Sequence, residues 1–326
     1  MVSRLLDYRF TQMALNVLIV LGAVICVFTP NYYLFKIGAG FAVKIMIGYL
    51  LLSMFFLVIG QSRLMFTSMI CCAGLCLFLK YASNTDLKFP NQTSSQVIKF
   101  SHLNISNSGE DYPTTIETIL SADADIISIQ EVTPDWARAL QEPLKALYPH
   151  SKTLTRLDPY GVAVFSKHPF RSIDTFHFEE IPNIVGSIRP PGFDKDIHFI
   201  SAHTVPPLYS TAFERMKAHL DKIIYHVQMT NGPMITMGDF NAPPWWAEIQ
   251  NLKDAAYLQD SRRSSQSSFD NLFQNPIDYI LYSDHFECIG FENIQTEITS
   301  HLGITGTYQF NTNASTNHAE SAIQDF

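Results

Sequence analysis

The chain has 326 residues, of which 47% are apolar and only 16% charged, where a soluble chain carries roughly 25% charge. Charge is divided unevenly: residues 1–89 hold seven Lys/Arg against two Asp/Glu, net +5, and residues 90–326 hold fifteen against twenty-eight, net −13. These figures strain an all-soluble reading and exclude a disordered chain poor in apolar residues and, with Gly at 15 residues, a collagen-like one.

Between Phe10 and Leu79 there is no Asp or Glu and only three cations, Lys36, Lys44 and Arg63. That composition predicts a membrane region over residues 1–81 with three spans, at 13–28, 37–59 and 64–79. They are separated by Thr29, Pro30 and Asn31 and by Gly60, Gln61, Ser62 and Arg63. Crossing ~30 Å of hydrocarbon takes roughly 17–25 helical residues, so the outer two are short and the second is the longest. Lys44 lies inside the second span near one end, where a long side chain snorkels to the interface. A cleaved signal peptide fits the first segment, with Arg4 and Arg9 ahead of an apolar run. No small-x-small cleavage site follows Cys26, however, and two further spans do. Arg4, Arg9 and Arg63 favour a cytoplasmic N-terminus, which an odd number of spans converts into an extracytoplasmic C-terminal half; Lys36, Lys80 and Lys88 on the other side weaken that signal.

Residues 82–96 (ASNTDLKFPNQTSSQ) are polar and aperiodic and read as an exposed tether. A domain is expected over residues 97–310, and the tail 311–326 is expected to fray. Cys288 is the only cysteine in this half, so no disulfide framework forms there.

Within residues 97–310 short apolar or β-branched runs repeatedly stop at a residue able to bind metal, phosphate or a proton. The runs are 97–103 before Asn104, 125–129 before Gln130 and Glu131, 197–202 before His203, and 233–237 before Gly238, Asp239, Phe240 and Asn241. Residues 277–281, with Asp278 at the start, and 297–300 before His301 complete the set. Such runs read as buried strands, and helical stretches at 114–120, 134–147 and 209–228 fall between them. Alternating strands and helices set the polar ends along one rim of a sheet scaffold. Two Asp, one Glu, two Asn and two His without a nucleophilic Ser or Cys motif suit phosphate-ester hydrolysis better than acyl transfer. A hard cation such as Mg²⁺ needs only one or two carboxylates, since it keeps waters and borrows phosphate oxygens. Asn and His can hold the remaining oxygens, and an Asp or an Asp-paired His can handle the water proton.

In order, Asn104, IQE at 129–131, GVAVFSKHP at 161–169, SAHT at 201–204, GDFN at 238–241, PIDYIL at 276–281 and a late Ser300-His301 resemble the endonuclease/exonuclease/phosphatase superfamily. Its fold is shared by deoxyribonucleases, abasic-site endonucleases, sphingomyelinases and inositol-phosphate phosphatases. GDFN followed by PPWW looks most like a bacterial membrane-anchored branch, which implies an inner-membrane location. The resemblance implies an α/β fold, a four-layer αββα sandwich of two packed sheets with outer helices. It also implies that Glu131 with Asn104 binds Mg²⁺ or Mn²⁺, that His203 and Asn241 hold the phosphate, that Asp239 orients or deprotonates the water, and that Asp278 pairs with His301. Asp239 and His301 both remain candidates for the base. The family's Ser-Asp-His reads Thr299-Ser300-His301 here, which predicts weaker metal affinity. The literal Ser283-Asp284-His285 reads as a decoy, because it continues the strand of Asp278 away from the rim.

Each residue also has a bland reading. Asp239 and Asn241 cap a turn, Glu131 caps the helix that follows, His203 is a core histidine, and Asn104 is a strand-end turn residue. Trp245 and Trp246 read as helix-start packing rather than a substrate platform. Net −13 with a single basic doublet, Arg262-Arg263, disfavours a polynucleotide partner. The favoured substrate is therefore a lipid headgroup or small phosphodiester at the bilayer; an anchored nuclease is the alternative, and a catalytically weak tethered binding module the third reading.

Overall fold

The computed structural model describes residues 8–28, 33–83, 90–94, 96–105, 109, 111–264, 275–296 and 302–311. Twelve strands form two six-stranded mixed sheets. The first runs β11-β12-β1-β2-β4-β3 and the second β5-β6-β7-β8-β10-β9. Their ranges are β1 Val97–Asn104, β2 Ile126–Gln130, β3 His150–Leu154, β4 Val162–Ser166, β5 Phe170–Phe178 and β6 Ile181–Ile188. The others are β7 Ile197–Ser201, β8 Met234–Asp239, β9 Leu258–Asp260, β10 Asp278–Ser283, β11 Phe286–Ile294 and β12 Gly303–Phe310. The parallel pairs β1/β2 and β7/β8 are the central ones in each sheet, and every other pairing is antiparallel.

Four N-terminal helices precede the sheets: α1 Arg9–Val27, α2 Tyr33–Gly40, α3 Ala42–Val58 and α4 Ser62–Ser83. Four more accompany them: α5 Tyr112–Ser121, α6 Pro134–Lys145, α7 Ser210–Gln228 and α8 Ala247–Ala255. Period-2 alternation builds the layers. Ile98 and Phe100 of β1, Ile126 of β2, Ile197 and Phe199 of β7, Ile235 and Met237 of β8, and Ile280 and Tyr282 of β10 meet between the sheets. The opposite faces are covered by α5 and α6 through Ile119, Trp136, Leu140 and Leu144, and by α7 and α8 through Phe213, Met216, Leu220 and Ile249. This is the four-layer αββα sandwich that the motif order implied.

At the N-terminus, α1 and α4 are each long and apolar enough to cross a membrane, and α2 with α3 passes the same test only as one broken pair bent by 55°. The expected second span is therefore not the longest. Its first residues leave it as α2, α3 keeps 17 residues, and α4 extends to 22. The physical reason for the break lies 212 residues away. Lys36, wholly buried, reaches both carboxylate oxygens of Glu248 on α8, at 2.9 and 3.0 Å. Trp245 Nε1 donates to the Ala39 carbonyl at 2.8 Å, Asn275 Nδ2 to the Gly40 carbonyl at 3.0 Å, and the Tyr33 hydroxyl to the Leu208 carbonyl. Gln250 Nε2 donates to the Ala82 carbonyl at the end of α4 at 2.7 Å. The helical bundle is thus docked on the α7/α8 layer. In the segment read as a tether, the Thr93 and Ser94 amides donate to Gln309 Oε1 of β12 and the Asn91 carbonyl accepts from Gln309 Nε2, so its described end lies bonded along the domain.

Candidate active site

On five strands the inter-sheet face changes from apolar to polar at the same end. After Ile98 and Phe100 on β1 come His102 and Asn104; after Ile126 on β2 come Ser128 and Gln130; after Ile197 and Phe199 come Ser201 and His203. After Ile235 and Met237 on β8 comes Asp239. On β10, which runs the other way, Asp278 precedes Ile280. Asp278 lies directly opposite Asp239 in the ladder. Strand tips from both sheets therefore converge on one rim.

The convergence is laced by hydrogen bonds across the sheets. Gln130 Nε2 donates to the Ala202 carbonyl at 2.7 Å, and the Asp239 amide donates to Gln130 Oε1 at 3.1 Å. Buried polar groups left unpaired cost about 1–3 kcal/mol each, so this lacing holds the two sheets in register. Gly238 makes it possible. It sits at φ +150°, and a Cβ there would lie 1.8 Å from the Ala202 carbonyl oxygen.

Asn104 Nδ2 donates to Glu131 Oε1 at 2.9 Å. Glu131 is held at φ +63°, which non-glycine residues seldom adopt. The helix cap that was its bland alternative belongs to Thr133, whose hydroxyl accepts from the Trp136 amide at 3.2 Å. Asp239 does close a turn, accepting from the Asn241 amide at 2.8 Å through Oδ1, but Oδ2 faces His203 Nε2 at 3.9 Å. Asn241, at φ +52°, is oriented by donating from Nδ2 to the Thr204 carbonyl at 2.9 Å. His203 Nδ1 lies 3.1 Å from the Pro159 carbonyl. A carbonyl only accepts, so Nδ1 carries the proton and Nε2 presents its lone pair toward Asp239.

The electrostatics follow from burial. Asp239 is held well above the usual carboxylate range by desolvation and by Asp278 and Glu131, against hydrogen bonds from the Asn241 amide and Asn104. Burial, aided by His102, pushes the His203 imidazole down to about 4, against the Pro159 hydrogen bond and Asp278. His203 is therefore neutral at pH 7.

Glu131, Asn104, His203, Asp239, Asn241 and Asp278 share this one rim. His301 and Ser300 lie outside the described residues, and with them the expected Asp278–His301 pair. The partner of Asp278 that is described is His102, whose Nε2 lies 3.1 Å from Oδ1 and whose Nδ1 lies 3.5 Å from Ser128 Oγ, with Ser201 Oγ a further 2.6 Å on. His102 is not among the candidates read from the sequence, although it stands two residues before Asn104 on the same strand face. Ser283 and His285 lie at the far end of β10, beside Met234 at the start of β8, away from the rim. Trp245 and Trp246 are buried, as helix-start packing requires. Among the described residues no three His, Cys, Asp or Glu form a metal cage.

The family model for the endonuclease/exonuclease/phosphatase family matches residues 102–295. Solved structures share the fold at low identity. The human Nocturnin catalytic domain with bound sulfate is 16% identical, with TM-score 0.55 over 66% of this chain and 95% of that one. A mannosyl-6-phosphatase from Bacteroides thetaiotaomicron is 17% identical, with TM-score 0.52 over 65% and 100%. TDP2 from D. rerio, complexed with a single-stranded DNA product, is 13% identical, with TM-score 0.52 over 66% and 100%. No curated protein matches the sequence.

Proposed function

For a chain that belongs to the endonuclease/exonuclease/phosphatase family, we propose hydrolysis of a phosphodiester or phosphomonoester by in-line water attack, dependent on Mg²⁺ or Mn²⁺, at the rim just described. One observation carries the reading: Asn104 hydrogen-bonds Glu131 while the adjoining Gln130 accepts from the Asp239 amide across the sheets, so carboxylates from two sheets stand at one shared rim.

The donor set fits a hard cation. Glu131 and the Asn104 carboxamide would hold it, and the mutual repulsion of Asp239, Asp278 and Glu131 is the charge imbalance that a divalent ion relieves. Absence of a three-ligand cage among the described residues accords with Mg²⁺, which retains waters and takes substrate oxygens, better than with structural zinc. A bound Mg²⁺ supplies Lewis-acid polarisation of the phosphate. The side chains supply the rest. Asn241 has a second amide hydrogen for a phosphate oxygen, and Asp239 Oδ2 is the carboxylate oxygen that faces His203 Nε2. His203 donates to phosphate only after Nε2 gains a proton, which an anionic substrate favours.

A membrane location is part of the proposal, with the catalytic domain outside the cytoplasm. The start of α1 and the α3–α4 turn lie together, joined by Gln12 and Gln61 at 2.9 Å, and carry Arg9 and Arg63. On the domain side Lys36 is neutralised by Glu248, so the positive-inside imbalance is larger than a bare count gives. Trypsin added to intact spheroplasts cleaves the domain if this orientation holds.

The test of activity uses the full chain in nanodiscs with Mg²⁺ on three substrates: bis(p-nitrophenyl) phosphate, phospholipid vesicles and DNA. Hydrolysis that chelation, Glu131→Gln and Asp239→Asn each abolish is the expected result. Turnover unaffected by both substitutions overturns the assignment, and DNA cleavage surviving high salt replaces the lipid with a nucleic acid.

A further inference from the structure

The helical bundle touches the domain at the loops that leave the active site. His203 and Thr204 begin one loop, which runs to Leu208, whose carbonyl accepts from the Tyr33 hydroxyl. Asn241 begins the other, which runs to Trp245, whose indole donates to the Ala39 carbonyl at 2.8 Å. Both acceptor contacts involve α2, and α2 sits at a defined height on the bundle. Gly38 packs on Ile25, and Cys26 Sγ lies 3.7 Å from the Gly38 carbonyl, within two residues of the end of α1. With 19 residues, α1 is about 28 Å long, close to the ~30 Å thickness of a bilayer's hydrocarbon. Its last turn therefore lies at the level of the hydrocarbon boundary, and α2 with the two loops it touches stands at that level.

At this end of the domain large apolar side chains are left in the open. Leu208 is 74% exposed, and Tyr209 beside it 56%. Across His203, in the loop whose Pro159 carbonyl holds that imidazole, Leu157 is 91% exposed. Tyr160 of the same loop packs on His203 at 5.4 Å, so this loop borders the one that His203 begins. Clustered large apolar side chains on an otherwise acidic domain mark a contact surface, and here that surface continues from a carbonyl already bonded to α2.

We propose that Leu157, Leu208 and Tyr209 form a lipid-contact rim that seats in the headgroup layer beside the active site, and that the ester hydrolysed belongs to a membrane lipid. The substrate part rests on the phosphoesterase reading above; the contact part does not. The rim lowers the barrier to drawing a headgroup sideways into the site, since the domain stands at the leaflet instead of waiting for a lipid to leave it.

Two measurements on the full chain test this, the first in phosphatidylethanolamine/phosphatidylglycerol nanodiscs and the second in vesicles of the same lipids. In the first, Leu157→Trp and Leu208→Trp are prepared separately, and quenching by dibrominated phospholipid is measured as the increment over wild type. Added quenching in both is expected; none in either overturns the lipid contact, whatever the enzyme activity. In the second, the triple variant Leu157→Ser, Leu208→Ser, Tyr209→Ser is compared with wild type on vesicle lipid and on bis(p-nitrophenyl) phosphate. The expected outcome is a loss of at least tenfold on vesicles with the soluble ester within twofold. Equal rates on both substrates overturn the rim's role. Met229→Ser with Tyr257→Ser, exposed apolar residues at the C-terminal ends of α7 and α8, leaves both rates unchanged. A wild type inactive on every ester refutes the phosphoesterase reading while the quenching result still decides the contact.

Discussion

Replacing Lys36 with Met tests the docking of the bundle on the domain. Both Lys36 and Glu248 are out of water, at 0% and 4% side-chain exposure, with two N···O contacts at 2.9 and 3.0 Å. At an effective dielectric of about 20 the attraction at this separation is roughly 5.5 kcal/mol, most of it offset by the cost of desolvating both ions. The intact pair therefore contributes little net stability. Breaking it is another matter, because a carboxylate left alone in that contact costs about 3–5 kcal/mol. There is a ceiling at pH 7: protonating an ordinary glutamate there costs about 4 kcal/mol, and the chain relieves the charge that way once the penalty exceeds it. The expected loss is thus about 3–4 kcal/mol, which for a domain of this size lowers the thermal midpoint by roughly 7–15 °C.

Intrinsic fluorescence is the natural probe, since Trp245 and Trp246 lie in the junction itself. Because the pair contributes little net, Lys36→Met with Glu248→Leu recovers most of the midpoint that either single change loses. The single variants leaving the midpoint within about 2 °C of wild type, or a double variant as unstable as the sum of the two, would refute the reasoning.

Three further outcomes follow from the site. Asp239→Asn keeps the turn acceptor for the Asn241 amide but removes the proton acceptor facing His203, so kcat falls by about 10²–10⁴ with the circular dichroism spectrum unchanged. Gly238→Ala drives a methyl into the Ala202 carbonyl at a positive φ and destabilises by about 2–4 kcal/mol, read as a lowered urea midpoint. His203 and His219 are buried and depressed, to about 4 and about 3 from 6.5. The unfolded chain therefore binds more protons between those values, so stability is full above pH 6.5 and falls as pH drops through the folded values. His219→Gln, which keeps a donor for Asn183, makes the wild-type decline in thermal midpoint between pH 7 and 4 measurably shallower; an identical slope rejects the assignment.

Strand tips were legible in the sequence because a buried strand announces itself by an apolar run, and a polar residue at its end has few structural reasons to be there. Asn104, Glu131, His203, Asp239, Asn241 and Asp278 emerge from that pattern alone, and they share one rim. His102 did not emerge, because a histidine inside VIKFSHLN looks like core until the alternation is carried two residues back from Asn104. Its partner Asp278 is 176 residues away. The break between α2 and α3 was hidden for the same reason. Composition registers Lys36 as a cation in an apolar stretch, but only the fold supplies Glu248, and without that partner an unbroken span is the cheaper reading.

On the proposed membrane and phosphoesterase reading, docking changes what an anchor does for catalysis. A free fifteen-residue linker spans about 20 Å on average, enough to let a site sample soluble esters and the bilayer alike, and attachment then acts only by raising local concentration. Hydrogen bonds from Tyr33, Trp245, Gln250 and Asn275 and the Lys36–Glu248 pair remove that freedom. The rim is held at one height and one tilt relative to α1, and orientation replaces concentration as the anchor's contribution. Orientation is also where the net charge of −13 on residues 90–326 matters: an acidic domain is repelled by an anionic leaflet within a Debye length of about 8 Å, so unaided it stands off from the lipid by about that distance. On the proposed reading, direct bonds at the α2 contact overcome that repulsion, and among the described residues Leu157, Leu208 and Tyr209 beside it gain from being pressed against a bilayer.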